Sequence, residues 1–338
     1  MSKTALFHPA NNRGTIVTPQ DLKTIHAYPF KDPSETKIAF SKGEGETGDR
    51  FAAFCDQLKK AAPHISIKHD SDLPFEAPVL VSGRNANIAY HTLPSGKLLP
   101  LFLESLDNPF DAGPLPAEAT EPPPRSIDLP AGFKLYVADQ CPHCPQTLRQ
   151  LQVLADANPM IRLRVIDAQG SADMARDDNI RSVPTLILDD RFRWTGPVKT
   201  EELLTICADR DPSSLSADSL RQLVEDGQAP QVAAMMTECG QLFPALIDLL
   251  VHPRWSVRLG AMVTVEYLAD DAPELGRRLC RSLWQTFSDL TIQVQGDVTH
   301  IFGLFDDPQT KGYLQTITKG DFDDEVKDAA AEALDEME

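Results

Sequence analysis

Phe133-Lys134-Leu135-Tyr136-Val137 reads as a buried strand, Cys141-Pro142-His143-Cys144 follows it, and Gln146 to Leu154 has helical spacing. Two cysteines three positions apart at the start of a helix can close a small disulfide ring. The first thiol then points outward, and the second sits one turn down, partly covered. Unpaired backbone N–H groups and the positive end of the helix dipole favour thiolate over thiol at Cys141. A cationic His143 between the cysteines favours it further. The pattern points to thiol–disulfide exchange.

The same spacing supplies half of many zinc sites. A tetrahedral site needs two more ligands, whereas Cys55, Cys207, Cys239 and Cys280 stand singly. His143 is held too tightly in the loop to join both cysteines on one metal. Redox use is therefore the favoured reading, no metal is expected, and a zinc half-site or an inert pair are the alternatives.

Downstream, Ile161 to Ile166 alternates as a strand and Ala172 to Asp178 can form a short helix. Ser182-Val183-Pro184-Thr185-Leu186-Ile187-Leu188 is a strand entered through a proline. Arg191 to Trp194 is its hairpin partner, and Thr200 to Ala208 a closing helix. This order, βαβαββα with Val183-Pro184 well after the dithiol, resembles the thioredoxin fold. The resemblance implies that Pro184 is cis and lies against the cysteine pair. It also implies that the backbone of Val183 pairs with a bound substrate chain.

Upstream, the order repeats without cysteines. Lys37 to Phe40, Ile65 to Lys68, Ala77 to Val81 and Asn87 to Thr92 read as strands, with helices at Arg50 to Ala62 and Lys97 to Leu106. Two such units in tandem, the first lacking the dithiol, resemble the N-terminal region of the flavoprotein component of bacterial alkyl hydroperoxide reductases. More distantly they resemble the archaeal protein disulfide oxidoreductases. Asp72-Leu73-Pro74 leading to Pro78, Cys144-Pro145, and Ala155 to Pro159 before the strand at Ile161 carry the likeness, which spans roughly residues 20 to 210.

Where the first unit would carry its redox loop stands Gly43-Glu44-Gly45-Glu46-Thr47-Gly48. This matches a dinucleotide-binding fingerprint, and Asp70 falls where a ribose-binding acid belongs. Against that, Glu44 and Glu46 would face a pyrophosphate, and the segment after Asp70 turns into a hairpin, not another parallel strand. A flexible glycine turn is the plainer reading.

The chain has 338 residues, enough for two or three domains, with 42% hydrophobic and 24% charged residues. No apolar run reaches membrane-spanning length, and Met1 to Gly14 lacks the hydrophobic centre of a signal peptide. A cytoplasmic location is expected, where paired cysteines tend to be catalytic. A net charge of −18 argues against nucleic acid and anionic membranes as partners.

The expected layout is a degenerate thioredoxin-like domain over residues 1–112 and a proline-rich linker over 113–126. A redox-active thioredoxin-like domain over 127–212 and an all-α domain over 213–338 follow. The α-helical part carries a faint repeat. Val257-Arg258 with Ala261 and Val265 recurs as Val294-Gln295 with Val298 and Phe302, and again as Val326-Lys327 with Ala330 and Leu334. Each copy follows another helical stretch: Leu242 to Val251, Pro273 to Phe287 and Pro308 to Ile317. Paired helices of this kind resemble HEAT-like repeats, with an irregular bundle as the alternative. Trp255, Trp284 and Phe302 are expected in packing, and Cys239 and Cys280 as buried apolar residues.

In the expected cycle Cys141 attacks a client disulfide, Cys144 resolves the mixed disulfide, and the reverse sequence oxidises a dithiol. The reversible Cys141–Cys144 bond is the redox group, and no further cofactor is expected. Pro142-His143 is also the dipeptide of strongly oxidising periplasmic thiol oxidases, so direction stays open. Thioredoxins proper often carry a buried acid on the preceding strand. Leu135 stands there, with Asp139 in the loop, which leaves proton transfer to water or His143. Flavin and nicotinamide domains are replaced by helices, implying a separate reductase, with the helical domain recruiting that reductase or the client. A scaffold or redox-regulated chaperone-like adaptor is the alternative.

Overall fold

A computed structural model describes residues 16–31, 36–83, 85–106 and 127–337. The linker expected at 113–126 lies outside the described residues. Two compact units are present. The first holds the described residues up to 106 with Phe133–Ile187 and Arg193–Thr200; the second holds residues 127–132, Leu188–Phe192 and 201–337.

The first unit opens with α1 (Pro19–Ala27), then β1 (Lys37–Ser41), α2 (Gly45–Ala61), β2 (Ser66–His69), β3 (Val79–Ser82), β4 (Ile88–His91) and α3 (Leu99–Leu106). The second copy of the pattern is β5 (Ala131–Val137), α4 (Cys144–Ala157), β6 (Ile161–Asp167), α5 (Ala172–Asp177), β7 (Thr185–Leu188), β8 (Phe192–Thr195) and α6 (Thr200–Ala208). All eight strands belong to one sheet, ordered β2-β1-β3-β4-β6-β5-β7-β8. β1 and β2 are parallel with Ile38 opposite Ile67, and β3 runs antiparallel to both β1 and β4.

The two copies join through parallel pairing of β4 with β6, Tyr90 opposite Val165. Every residue of β3 and β4 is buried, as strands covered on both faces require. Side chains secure the joint. Asn87 Nδ2 donates to the carbonyls of Ala155 and Ile161, both at 2.7 Å. Gln152 donates to the Tyr90 hydroxyl and to the Leu101 carbonyl. Tyr90 in turn donates to Ser105 at 3.3 Å. Such groups are costly to bury without partners, so they fix the pairing of the copies as well as stabilise it.

The glycine stretch differs from its sequence reading. α2 begins at Gly45, so Gly45 to Gly48 is its first turn, and only Gly43 and Glu44 precede it. A Cβ on Gly48 would sit 2.5 Å from the Lys42 carbonyl oxygen, and one on Gly43 would press on Ala77 and Pro78 at 3.1 Å. These glycines permit close backbone packing. With β3 antiparallel to β1, the surroundings are not those of a dinucleotide fold. α1 is also new. Thr18 and Asp21 form a reciprocal cap at its start, a pattern written in Thr18-Pro19-Gln20-Asp21.

The second unit continues from α6 with helices only, among the described residues: α7 (Ala217–Glu225), α8 (Ala229–Cys239), α9 (Pro244–Leu250), α10 (Trp255–Asp271), α11 (Pro273–Thr286), α12 (Ile292–Gly303), α13 (Pro308–Lys319) and α14 (Asp324–Glu336), with short 3-10 turns at Pro212–Ser214 and Phe287–Asp289. The three sequence repeats fall on α10, α12 and α14. Val257, Ala261, Val265, Val298, Phe302 and Ala330 are essentially inaccessible.

The residue after each leading valine has its own task in two of the copies. Arg258 reaches back to the carbonyls of His252 and Pro253, and Gln295 to that of Phe287. Each holds the turn ahead of its helix. Trp284 stacks on Tyr313 with centroids 4.4 Å apart and lies edge-on to Phe302, as packing residues should. Two expectations fail. Trp255 is 55% exposed, because it opens α10 on the side away from buried Val257. Cys239 is exposed, at the last turn of α8 before the left-handed Gly240.

Candidate redox site

β5 delivers the chain to a turn at residues 138–143, and α4 starts at Cys144. The apolar stripe Leu148, Leu151 and Leu154 fastens α4 down, with Cys144 and Thr147 on the same buried face. Cys141 and Cys144 are joined as a disulfide with Cα atoms 5.5 Å apart, ordinary for such a bond. Cys141 keeps 8% exposure and Cys144 none, so outside access to the pair falls on Cys141. Pro142 and His143 are exposed above it.

The Cys144 N–H donates to Cys141 Sγ at 3.1 Å. Cys141 thus lies just beyond the positive end of α4, where a thiolate is favoured. Across from it, the Val183 carbonyl oxygen is 3.6 Å from the same sulfur. The Val183–Pro184 bond is cis, as the fold resemblance implied, and Ala77–Pro78 in the first copy is cis as well. The structure brings Cys141, Pro142, His143, Cys144, Val183 and Pro184 to one place.

Sequence reading missed what holds the Val183 segment. Buried Tyr136 donates to Asp178 Oδ2 at 2.6 Å, and Lys134 Nζ lies 3.3 Å from the same atom. Thr185 donates to the Ser182 carbonyl at 2.7 Å, and the Gly196 N–H to that of Pro184 at 2.9 Å. The alternation that puts Lys134 and Tyr136 on one face of β5 was visible, but their common partner in Asp178 was not.

The first copy reaches the site too. Asp139, in the turn before Cys141, accepts from the Ser95 hydroxyl at 3.4 Å, and the neighbouring Gly96 N–H donates to Asp21 at 3.0 Å. Loss of hydration raises the Asp139 carboxyl above its ordinary range, and the negative charges of Asp167 and Asp21 add to this against the Ser95 hydrogen bond. The residue as a whole is exposed, so solvent screens the effect. Leu135 is fully buried on β5. Asp139 is therefore an acid in the loop, two residues before Cys141, whose carboxylate is held by Ser95.

The other cysteines are of a different kind. Burial pushes the thiols of Cys55 and Cys280 up to about 12 and that of Cys207 to about 11. Among the described residues no group of three or more His, Cys, Asp or Glu could hold a metal ion, and no helix is long and apolar enough to cross a membrane.

Residues 132–207 match the family model of a thioredoxin domain. Over 114 residues the chain is 31% identical to the F component of the alkyl hydroperoxide reductase of Pseudomonas aeruginosa, covering 32% of this chain and 22% of that protein. It is 23% identical over 182 residues to an NADH dehydrogenase of Bacillus subtilis, covering 54% and 36%. A solved structure of the F component of the Enterococcus faecalis alkyl hydroperoxide reductase is similar at 18% identity, with a TM-score of 0.43 over 56% of this chain and 96% of that one. A protein disulfide oxidoreductase from Aeropyrum pernix is similar at 14% identity and a TM-score of 0.42, covering 56% and 92%. The chain spans 22% to 39% of the length of these curated relatives and of a further NADH dehydrogenase that it matches at 20% identity. Residues 132–207 have a thioredoxin-like fold, and Cys141 and Cys144 are the Cys-x-x-Cys pair within it.

Proposed function

We propose that the chain is a thiol–disulfide oxidoreductase that exchanges disulfides with protein clients through Cys141 and Cys144. The observation that carries the reading is the position of Cys141: partly accessible, fed by the Cys144 N–H, and 3.6 Å from the Val183 carbonyl. In the reducing direction the Cys141 thiolate attacks one client sulfur and expels the other as a thiolate. Cys144 loses its proton and attacks Cys141 Sγ. The mixed disulfide breaks, the second client sulfur leaves as a thiolate, and the two client sulfurs take up protons. Two electrons pass to the client, and the Cys141–Cys144 disulfide forms. Oxidation of a client dithiol is the reverse.

Val183 and Pro184 form the edge along which a client strand lies, the mode in which main-chain pairing gives affinity. His143 supports the thiolate, and proton transfer runs through water or His143. A separate reductase renews the dithiol, and the protein works in the cytoplasm. The helices from α9 to α14 follow one another as pairs in a HEAT-like manner and recruit the reductase or client.

The test is a mixed-disulfide trap. With Cys144→Ser in native extract, Cys141 should retain clients as adducts that reductant releases, and a Cys141→Ser control should retain none. Equal partner retention by both variants without covalent adducts would instead establish a non-enzymatic adaptor.

A further inference from the structure

We propose that the exposed face of α10 docks an amphipathic helix of a protein partner, one that carries lysine or arginine beside its apolar stripe. A surface helix ordinarily buries one apolar stripe and turns a polar face to water. α10 buries Val257, Ala261, Val265 and Leu268. Its opposite side is apolar as well. Trp255 is 55% exposed, Leu259 and Tyr267 are each 41% exposed, and Val263 is half-buried between them. These four side chains recur at every fourth residue and so form one continuous ridge. At about 1.5 Å per residue the ridge is about 18 Å long. Ridges of this spacing pack into the grooves of another helix, and this one is long enough for about three turns of a partner.

The charges beside the ridge decide which helix fits. Glu266 follows Leu259 by seven residues and Asp270 follows Val263 by seven, so both acids share the ridge's face. With Asp271 they stand exposed in the last two turns of α10, where the helix dipole disfavours negative charge. Glu266 and Asp270 are also like charges four residues apart, a repelling pair. The last turn holds no base, and among the described residues none of these three carboxylates has an ion pair or a side-chain hydrogen bond. Cations brought by a partner offset that repulsion. A second copy of this chain would bring the same carboxylates and a net charge of −18, so the face does not select itself.

Apolar side chains left open beside unpaired acids suit the helix-in-groove mode of recognition, with leucine-like anchors and flanking bases on the partner. α10 lies in the second unit, and the inference rests on the recruitment role proposed above, for which it names a surface and a partner chemistry. It is read by binding alone, so its failure leaves the dithiol chemistry untouched.

The experiment uses the full chain and a fluorescein-labelled peptide of two Leu-Lys-Lys-Leu-Leu-Lys-Leu heptads. One control peptide carries Glu for every Lys, and another carries Ala for every Leu. Fluorescence anisotropy reads binding, and sedimentation velocity reads the state of the chain alone. The lysine peptide should bind at least about tenfold more tightly than either control. Trp255→Ala/Leu259→Ala should weaken it by about tenfold or more. Glu266→Gln/Asp270→Asn/Asp271→Asn should weaken it by about tenfold and hold or raise Tm, because repulsion at the helix end is relieved. Asp328→Asn/Glu332→Gln/Asp335→Asn removes the same charge from exposed positions of α14 and should weaken binding by less than about twofold. Equal weakening by the two charge variants would mean that general acidity draws the peptide, and would overturn the proposal. So would no binding of the lysine peptide, equal binding of a control, or unchanged affinity in Trp255→Ala/Leu259→Ala. Self-association of the chain that Trp255→Ala/Leu259→Ala abolishes would assign the face to a second copy and overturn it too.

Discussion

The Val183 carbonyl oxygen lies 3.6 Å from Cys141 Sγ, while the Cys144 N–H donates to that sulfur from 3.1 Å. In the reduced protein these two groups pull in opposite directions. A carbonyl accepts from a thiol and favours the protonated form, whereas an N–H at a helix start favours the thiolate. The donor is closer and is reinforced by the positive end of the α4 dipole. Cys141 is therefore expected to titrate below the free-cysteine value of about 8.5. The pH dependence of iodoacetamide alkylation in Cys144→Ser measures it, and a value at or above the free one would mean that the carbonyl prevails. His143→Ala should raise the Cys141 value and make the couple more reducing. A change worth about 1.4 kcal/mol corresponds to about 30 mV, read by equilibration against glutathione.

The remaining cysteines should separate by burial. Cys239 is exposed, while the thiols of Cys55, Cys207 and Cys280 are pushed up to between about 11 and about 12 by loss of hydration. In a Cys141→Ser/Cys144→Ser protein, native alkylation at neutral pH should mark Cys239 within minutes and the other three only after denaturant. Mass spectrometry of the labelled peptides decides the matter. Rapid native labelling of Cys280 would contradict the packing of α11.

Asp139 gives a pH signature. Its carboxyl is raised in the folded chain, first by lost hydration and then by Asp167 and Asp21. A raised acid binds its proton more tightly when folded, so the native state holds more protons than the unfolded one over the window just above the ordinary carboxylate value. Stability from this group is thus lost as pH rises through that window. Asp139→Asn keeps an acceptor for Ser95 and removes the charge. It should melt at a higher temperature than the parent at pH 7, and the two should converge below about pH 3.8.

The thioredoxin-like fold of residues 132–207 was legible because its signals are local. A strand, a Cys-x-x-Cys at a helix start and a proline-entered strand fix the order of elements without knowledge of contacts. The helices from α9 to α14 were legible for the same reason, through repeated Val257, Val294 and Val326. What stayed hidden depends on distant partners. Asp178 appeared as the end of a short helix, yet it holds Tyr136 and Lys134 from β5. Trp255 fitted a packing role by residue type, but its position at the first turn of α10 leaves it exposed. The glycines before α2 matched a phosphate-binding pattern, and only the contact of Gly43 with Ala77 and Pro78 shows why they are needed.

Asp189 and Arg210 give the largest expected loss of stability. Both side chains are 1% exposed and form an ion pair in the second unit. The Asp189 carboxylate also accepts from Ser219 at 2.6 Å, Ser216 at 3.0 Å and the Gly132 N–H at 3.3 Å. Arg210 also donates to the carbonyls of Cys207 and Leu129. Nearly every valence is used, so removing one partner leaves a buried charge without its counter-charge. Asp189 has a φ of +46°, which Asn tolerates, so Asp189→Asn tests charge without straining the turn. It should cost about 3–5 kcal/mol, as should Arg210→Met. The double variant buries no charge and should lose clearly less than the two single losses combined. Urea unfolding in a Trp194→Phe background, followed by the fluorescence of Trp255 and Trp284, both in the second unit, measures all three. Additive losses would show that the pair is held by its neutral hydrogen bonds and that its charges contribute little.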